Sequence, residues 1–165
     1  MAGSILNRTM NGPRLFLGGL AAGLLLLATG IALGHGVLGA EYVRVFASHR
    51  AHPVNALTVL ENTTLRLAYG FLAVFLYAAI RPRFGAGPRT AVFAALILWL
   101  AAFLPRHLLL SEFGILDGRQ LLLSLSWSVA EVVLATLLGA SIYRERPATR
   151  LEETRGGTGT GPRQP

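Results

Sequence analysis

The amino-acid sequence predicts an all-α fold, a membrane-spanning bundle of four helices, and three observations support this class. Of the 165 residues, 53% are hydrophobic and only 14% are charged, whereas soluble domains contain roughly 25% charged residues. Several uncharged stretches approach or exceed the roughly 20 residues that a helix needs to cross a bilayer. Arg residues stand at the ends of these stretches, where a spanning helix meets lipid headgroups.

The first predicted helix, residues 15–38, contains no formally charged residue. It follows Arg8 and Arg14, so a secretory signal peptide cleaved near residues 28–30 is an alternative interpretation. The apolar run is longer than the roughly 7 to 15 residues of a signal peptide's hydrophobic region. We therefore expect a retained signal anchor, with residues 1–14 forming a cytoplasmic segment.

The longest connection, residues 39–56, follows this helix and is predicted to contain a short interfacial helix over residues 41–49. It also contains His49 and His52, which could ligate a metal ion if further ligands lay nearby. The pair has neither a neighbouring general-base Glu nor a third ligand at a diagnostic spacing. We therefore expect solvated histidines at the interface and no metal site.

The second helix is the least regular of the four, because Arg66 and Arg81 enclose only 14 residues. That length is too short to span a bilayer. We therefore predict a helix over residues 57–80, which takes Glu61 and Arg66 into the membrane or to its outer edge.

The stretch from Arg81 to Arg89 contains two Pro and two Gly residues and predicts a tight hairpin connection. Its Arg residues are expected to contact lipid headgroups: Arg81, Arg83 and Arg89. The third helix is predicted over residues 90–110. Its last turns contain Pro105 and Arg106, where a kink is tolerable and the Arg side chain can snorkel outward.

The fourth helix is predicted over residues 120–143 and contains a single formal charge, Glu131, near its middle. The four helices together make one transmembrane domain of residues 15–146. Beyond it, residues 147–165 are rich in Gly, Thr, Pro and Arg. Such a composition cannot bury a core, so we predict a disordered cytoplasmic tail.

The distribution of Arg residues predicts the orientation, because cytoplasmic loops are enriched in Lys and Arg. Ten fall on one side of the predicted bundle: Arg8, Arg14, Arg81, Arg83, Arg89, Arg144, Arg146, Arg150, Arg155 and Arg163. Four fall on the other side: Arg44, Arg50, Arg106 and Arg119. Both termini are therefore predicted to be cytoplasmic.

The first helix contains a stripe of glycines at helical spacing: Gly19, Gly23, Gly30 and Gly34. A stripe of this kind lets a second helix approach closely. We expect it to pack inside the protein's own bundle. Homodimerisation through the same face is the alternative.

Glu131 is the most informative residue, since an ionisable group at mid-membrane normally faces a partner or a wet cavity. Its neighbours at helical spacing are small or polar: Ser124, Ser128, Ala135 and Gly139. Arg66 belongs to a similar stripe: Asn62, Gly70, Ala73 and Tyr77. Both stripes should face the bundle interior, so we predict that Arg66 and Glu131 form a buried ion pair. A proton or substrate site at Glu131 is the alternative to a purely structural pair.

A weaker polar cluster is predicted near the outer surface: His35, Glu61, Arg106 and His107. No catalytic residue is predicted, because the chain has no Walker loop, no GxSxG, no HExxH and no dinucleotide fingerprint. No metal or other cofactor is expected either. The sequence has no Cys, which excludes disulfides and thiolate sites, and its Arg placement argues against nucleic acid as a partner.

Two segments, LYAAIRPRFGAGPRTA over residues 76–91 and RLFLGGLAAG over residues 14–23, resemble an uncharacterised family of small bacterial membrane proteins with four predicted helices. The resemblance extends through LGASIYRE at residues 138–145. Members of that family often have an Asn and a Glu in the first helix, where this chain has only apolar or small residues before His35. The resemblance implies the topology and a bacterial inner-membrane location, and it transfers no catalytic residue.

The sequence leaves three functions open. The first is a structural role or a role as a partner subunit, because the chain has packing stripes and no catalytic motif. The second is a small oligomeric transporter or proton-coupled permease that uses Glu131 and Arg66. The third is a membrane oxidoreductase subunit. The expected partners are membrane lipids and either a second copy or another membrane protein.

Overall fold

The structure, a computed structural model, describes residues 11–49 and 55–143. Over these ranges the chain forms helices joined by short turns, with no strand. Four of the helical segments are long and apolar enough to cross a membrane, so the predicted membrane-spanning four-helix bundle is confirmed. Most of the predicted N-terminal segment, together with His52 and the predicted tail of residues 147–165, lies outside the described residues.

The first span, Gly12–Val37, consists of α1, Gly12–Ile31, and a segment of π-helix, Ala32–Val37. In the π-helical segment the Leu38 amide donates to the Leu33 carbonyl at 2.9 Å, five residues back. Two glycines flank His35 in this segment, and glycine weakens the tighter α-helical alternative.

A short helix, α2, follows over Gly39–Ser48, where the sequence predicts an interfacial helix. Gly39 begins it with a φ of +79°, a left-handed conformation that favours glycine. This turn brings α2 back over the end of the bundle, so that Tyr42 lies near Gly34 of the first span. We name this part of the molecule the α2 end.

The second span is α3, Ala56–Phe84. The Asn55 side chain caps it by accepting a hydrogen bond from the Thr58 amide at 3.0 Å. The helix continues past the predicted end at residue 80 and includes Pro82 in its last turn. The connection to the third span is therefore shorter than predicted, and it contains Gly85 and Gly87 with φ values of +85° and +152°. We name this opposite part of the molecule the hairpin end.

The third span, Pro88–Glu112, contains α4, Pro88–Leu98, a second π-helical segment, Trp99–Phe103, and α5, Leu104–Glu112. The wider turn precedes Pro105, which has no amide hydrogen to donate and whose ring crowds the carbonyl four residues earlier. The helix therefore accommodates Pro105 with a π-helical segment.

The fourth span is α6, Gly118–Ile142. A capping box starts it: the Asp117 side chain accepts from the Gln120 amide at 2.7 Å, and the Gln120 side chain accepts from the Asp117 amide at 3.1 Å. The short turn before it keeps α5 and α6 antiparallel neighbours.

Close backbone approach holds the first span against α3 and α6. A Cβ at Gly18 would lie 2.6 Å from the carbonyl oxygen of Gly139 in α6, and a Cβ at Gly70 in α3 would lie 2.6 Å from that of Gly19. A Cβ at Gly23 would lie 2.8 Å from the Cα atom of Leu67 in α3. Large apolar side chains cover the outside, including the following: Phe16, Leu17, Leu60, Leu100, Leu122 and Leu134. An apolar exterior of this kind suits lipid as the solvent.

Candidate functional site

A polar cavity of about 70 Å³ lies between the spans, toward the α2 end. Its polar side chains come from α2, α3, α5 and α6: Tyr42, Arg66, Arg106, His107, Ser124 and Glu131. The first span contributes no charged or titratable side chain and borders the cavity with Gly30, Leu33 and Gly34. A polar space of this size has room for a few water molecules.

The predicted partners Arg66 and Glu131 meet at the wall of this cavity. The Nη1 atom of Arg66 donates a hydrogen bond to Oε1 of Glu131 at 3.2 Å. The same nitrogen donates to the backbone carbonyl of Leu26 at 2.7 Å. The side chains of Arg66 and Glu131 are 13% and 4% exposed, so both charges are buried within the protein.

Arg66 and Glu131 also lie far from the ends of their helices. Arg66 lies ten residues after Ala56, which is roughly 15 Å at about 1.5 Å per residue. Glu131 lies thirteen residues after Gly118, which is roughly 20 Å. Both groups are therefore well inside their spans, on the side of the cavity nearer the middle of the bundle.

Two glycines of the predicted packing stripe serve this site rather than a contact between helix backbones. A Cβ at Gly30 would collide with the guanidinium group of Arg66. Gly34 borders the cavity, where a Cβ would lie 4.0 Å from Cε1 of Tyr42. The glycines of the stripe thus have two roles. Gly19 and Gly23 pack against α3, whereas Gly30 leaves room for the guanidinium group of Arg66.

Two oxygens of the cavity residues have no hydrogen-bond partner within the described part of the chain: Oε2 of Glu131 and Oγ of Ser124. Both residues border the cavity, and Ser124 is 2% exposed. Buried polar atoms almost always have a partner, either protein or ordered water. The cavity is therefore arranged to receive water or a polar ligand beside these two oxygens.

A second guanidinium group borders the same cavity. Arg106 is half-buried there, and among residues 11–49 and 55–143 it has no ion-pair partner. The sequence predicts that the Arg106 side chain snorkels outward; in the structure it lies half-buried beside the cavity at the α2 end. With Arg66 and Arg106 facing one carboxylate, Glu131, the described side chains that border the cavity carry an excess of positive charge.

His107 and Tyr42 complete the polar lining. Nδ1 of His107 lies 2.7 Å from the carbonyl oxygen of Phe103, and a carbonyl only accepts, so this nitrogen carries the proton and Nε2 is the acceptor of the neutral ring. Burial raises the pKa of Tyr42, and the nearby charges of Arg106 and Arg66 partly oppose that rise. Tyr42 therefore stays a neutral hydroxyl at physiological pH.

The other predicted site residues lie elsewhere. His35 and Glu61, assigned from the sequence to one cluster with Arg106 and His107, are both exposed and do not border the cavity. Asn62, expected in the inward stripe of Arg66, is exposed as well. In the described part of the chain no group of three or more His, Cys, Asp or Glu side chains could hold a metal ion.

The hairpin end presents the three Arg residues expected to contact lipid headgroups. Arg83 and Arg89 are exposed there. Arg81 is half-buried, and its guanidinium carbon lies 5.8 Å from the ring centroid of Tyr143, a cation–π distance. The Tyr143 ring in turn meets Tyr77 edge to face, with 6.3 Å between centroids.

No family model matches the chain. Comparisons with curated proteins and with solved structures also find no similar protein. The polar cavity is therefore interpreted from its own geometry and charge.

Tyr42 is the cavity residue that sequence reasoning missed. It lies in a connection rather than in a span, and it reaches the cavity because the turn at Gly39 folds α2 back over the first span. Its neighbour in sequence, Gly39, was the available signal, because a glycine just before an amphipathic segment permits such a turn.

Proposed function

We propose that this multi-pass membrane protein is a small permease that binds a polar solute in the polar cavity and takes up a proton on Glu131. One observation supports the proposal above the others. Glu131 is 4% exposed, and only one of its carboxylate oxygens accepts a hydrogen bond from Arg66. The second oxygen is unpartnered within the described residues. A residue that borders a cavity in this state is suited to exchanging a proton.

A purely structural ion pair accounts less well for these features. Buried pairs that serve only packing need their remaining polar atoms satisfied, because each unsatisfied group costs about 1 to 3 kcal/mol. Here Oε2 of Glu131 and Oγ of Ser124 lack protein partners in the described ranges, so their partners must be water or a ligand in the polar cavity that both residues border. A membrane oxidoreductase is also less well supported, since about 70 Å³ is far below the roughly 300 Å³ at which pockets for larger ligands begin.

Protonation of Glu131 would change the site in a defined way. Arg66 would lose its charged partner but keep the hydrogen bond to the Leu26 carbonyl, so its guanidinium group would stay in place. Its charge would then be available to a ligand. The polar cavity lies toward one end of the bundle, so we propose that a complete pathway needs a second copy of the chain, as four helices alone rarely form one.

We further propose that both termini face the cytoplasm of a bacterium and that the polar cavity faces the exoplasmic half of its inner membrane. The Arg distribution and the family resemblance support this orientation. Reporter fusions test it: a fusion after Arg163 is expected to be active only in the cytoplasm, and one after His49 only outside it. A periplasm-active reporter at Arg163 would reverse the topology.

The proton-binding role of Glu131 predicts a titrating carboxyl group that infrared difference spectroscopy detects. In purified full-length protein reconstituted into liposomes, lowering the pH should produce a carboxyl band from a non-aqueous environment, and Glu131→Gln should remove it. Glu112→Gln is the matched control, because Glu112 is exposed at the end of α5. If the band is absent from the wild type, or survives Glu131→Gln, Glu131 does not exchange protons and the structural role is favoured.

A further inference from the structure

We infer that the ligand of the polar cavity is a small monocarboxylate anion, bound between Arg106 and Arg66 together with one proton on Glu131. This inference deepens the proposed function and rests on it, because the proton site is the same carboxylate. The inference is based on four groups that border one small cavity: two guanidinium groups, one carboxylate, and the Ser124 hydroxyl, which has no partner within the described residues.

The two guanidinium groups of the cavity differ in their ion pairing. Arg66 has a carboxylate partner at 3.2 Å, whereas Arg106 has none among the described residues. A cation inside a membrane-spanning segment is costly unless it is paired or reaches water. A bound monoanion would give Arg106 a direct partner of opposite charge.

The donors around the cavity match a carboxylate. A guanidinium group presents its N–H donors in a planar fork that fits the two oxygens of a carboxylate. Ser124, whose hydroxyl is unpartnered within the described residues, adds an O–H donor to the same lining. The volume of about 70 Å³ restricts the ligand to a few non-hydrogen atoms, as in formate or acetate.

The position of Glu131 beside the bound anion explains why a proton is taken up together with it. An anion next to an ionised Glu131 would be repelled, whereas a protonated Glu131 could donate a hydrogen bond to it. Binding one anion and one proton leaves the net charge of the buried site unchanged: the ligand's negative charge replaces the one that Glu131 loses. The site therefore favours taking up both together.

Among the side chains that the structure describes, Glu131 is the acidic group that borders the cavity. The titratable and charged groups that border it with Glu131 of α6 are Tyr42 of α2, Arg66 of α3, and Arg106 and His107 of α5. The first span contributes only glycine and apolar side chains. Glu61, the acidic residue of α3, is exposed and does not border the cavity.

Calorimetric titration of the purified full-length protein with sodium formate tests the inference. Formate is expected to bind, and measurements in buffers of different ionisation enthalpy should show uptake of about one proton for each anion bound. The affinity should therefore fall as the pH rises, by up to about tenfold per pH unit. Sodium chloride is the comparison for anions without a carboxylate, and equal binding of chloride would overturn the assignment to a carboxylate.

Three variants separate the roles of the charges. Arg106→Gln should weaken formate binding at least about tenfold, as expected when a hydrogen bond to a charged group is lost. Arg119→Gln is the control, because Arg119 is exposed at the start of α6, and it should bind like the wild type. Glu131→Gln should bind formate without proton uptake. Unchanged binding by a folded Arg106→Gln variant would overturn the inference.

The two proposals fail in different ways. If Glu131 titrates in the infrared experiment but formate does not bind, the carboxylate ligand is wrong and the proton-binding permease stands. If formate binds without proton uptake, and the infrared band is absent, the proton role of Glu131 is wrong. Thermal unfolding of the wild type with and without formate gives a second readout of binding that needs no variant.

Discussion

Replacing either partner of the buried ion pair is expected to destabilise the protein by roughly 3 to 5 kcal/mol, because the remaining charge is left without a partner. Glu131→Gln should cost more than Arg66→Gln, since a guanidinium group stays charged while a lone carboxyl can take up a proton. For the same reason the cost of Arg66→Gln should shrink as the pH falls. Equilibrium unfolding in detergent of both single variants and the double variant measures these effects.

The double variant decides whether the two charges meet. Because one interaction is lost in each single variant, the double variant should be less destabilised than the sum of the singles, with a coupling of about 1 to 3 kcal/mol. Glu61→Gln is a suitable control, as Glu61 is exposed in the same span as Arg66, and its coupling to Arg66→Gln should be near zero. A coupling near zero for Arg66 and Glu131 would contradict the contact at 3.2 Å.

The sequence predicts the spans well, because hydropathy depends on composition over about 20 residues and little else. The proximity of Arg66 and Glu131 could also be anticipated, since charges inside a span have few ways to be satisfied. The hydropathy of a span and the presence of a charge within it are properties of a single helix. Both can be read from the sequence before the packing of the bundle is known.

The cavity could not be predicted, because it depends on how helices rotate and where their turns widen. The π-helical segment at Trp99–Phe103 has more residues per turn than an α-helix. It therefore rotates the residues that follow it about the helix axis, toward a different neighbour. Arg106 and His107, which follow it, border the cavity, whereas the sequence grouped them with His35 and Glu61 in one cluster near the outer surface. The same kind of segment surrounds His35, which is exposed rather than clustered with His107.

The glycine stripe of the first helix was also only partly predictable from the sequence. Its spacing predicts a close contact but not the partner: Gly19 and Gly23 meet Gly70 of α3, whereas Gly139 of α6 meets Gly18, which is not part of the stripe. The sequence placed Gly70 and Gly139 in inward stripes of their own helices. Which glycines face each other depends on the crossing angles of the helices, which no single span encodes.

Gly23→Leu is expected to be one of the most damaging single substitutions in the packing of the spans. A Cβ at Gly23 would lie 2.8 Å from the Cα atom of Leu67 and 3.2 Å from its carbonyl oxygen. Backbone atoms of a helix cannot move aside as a side chain can, so α1 and α3 must separate. We expect a loss of at least about 3 kcal/mol, the upper part of the range for overpacked sites, measured by thermal unfolding in detergent.

Gly36→Leu is the matched control for this prediction, because the same substitution is made where a Cβ would meet nothing within 4 Å. It should change stability by no more than about 0.5 kcal/mol, as at an exposed site. Leu25→Ala removes a half-buried side chain of α1 and should fall between the two. The loss depends on distance between backbones rather than on apolar area, so Gly23→Leu destabilises although it adds a hydrophobic side chain. Equal stability of the three variants would place Gly23 against lipid instead of α3.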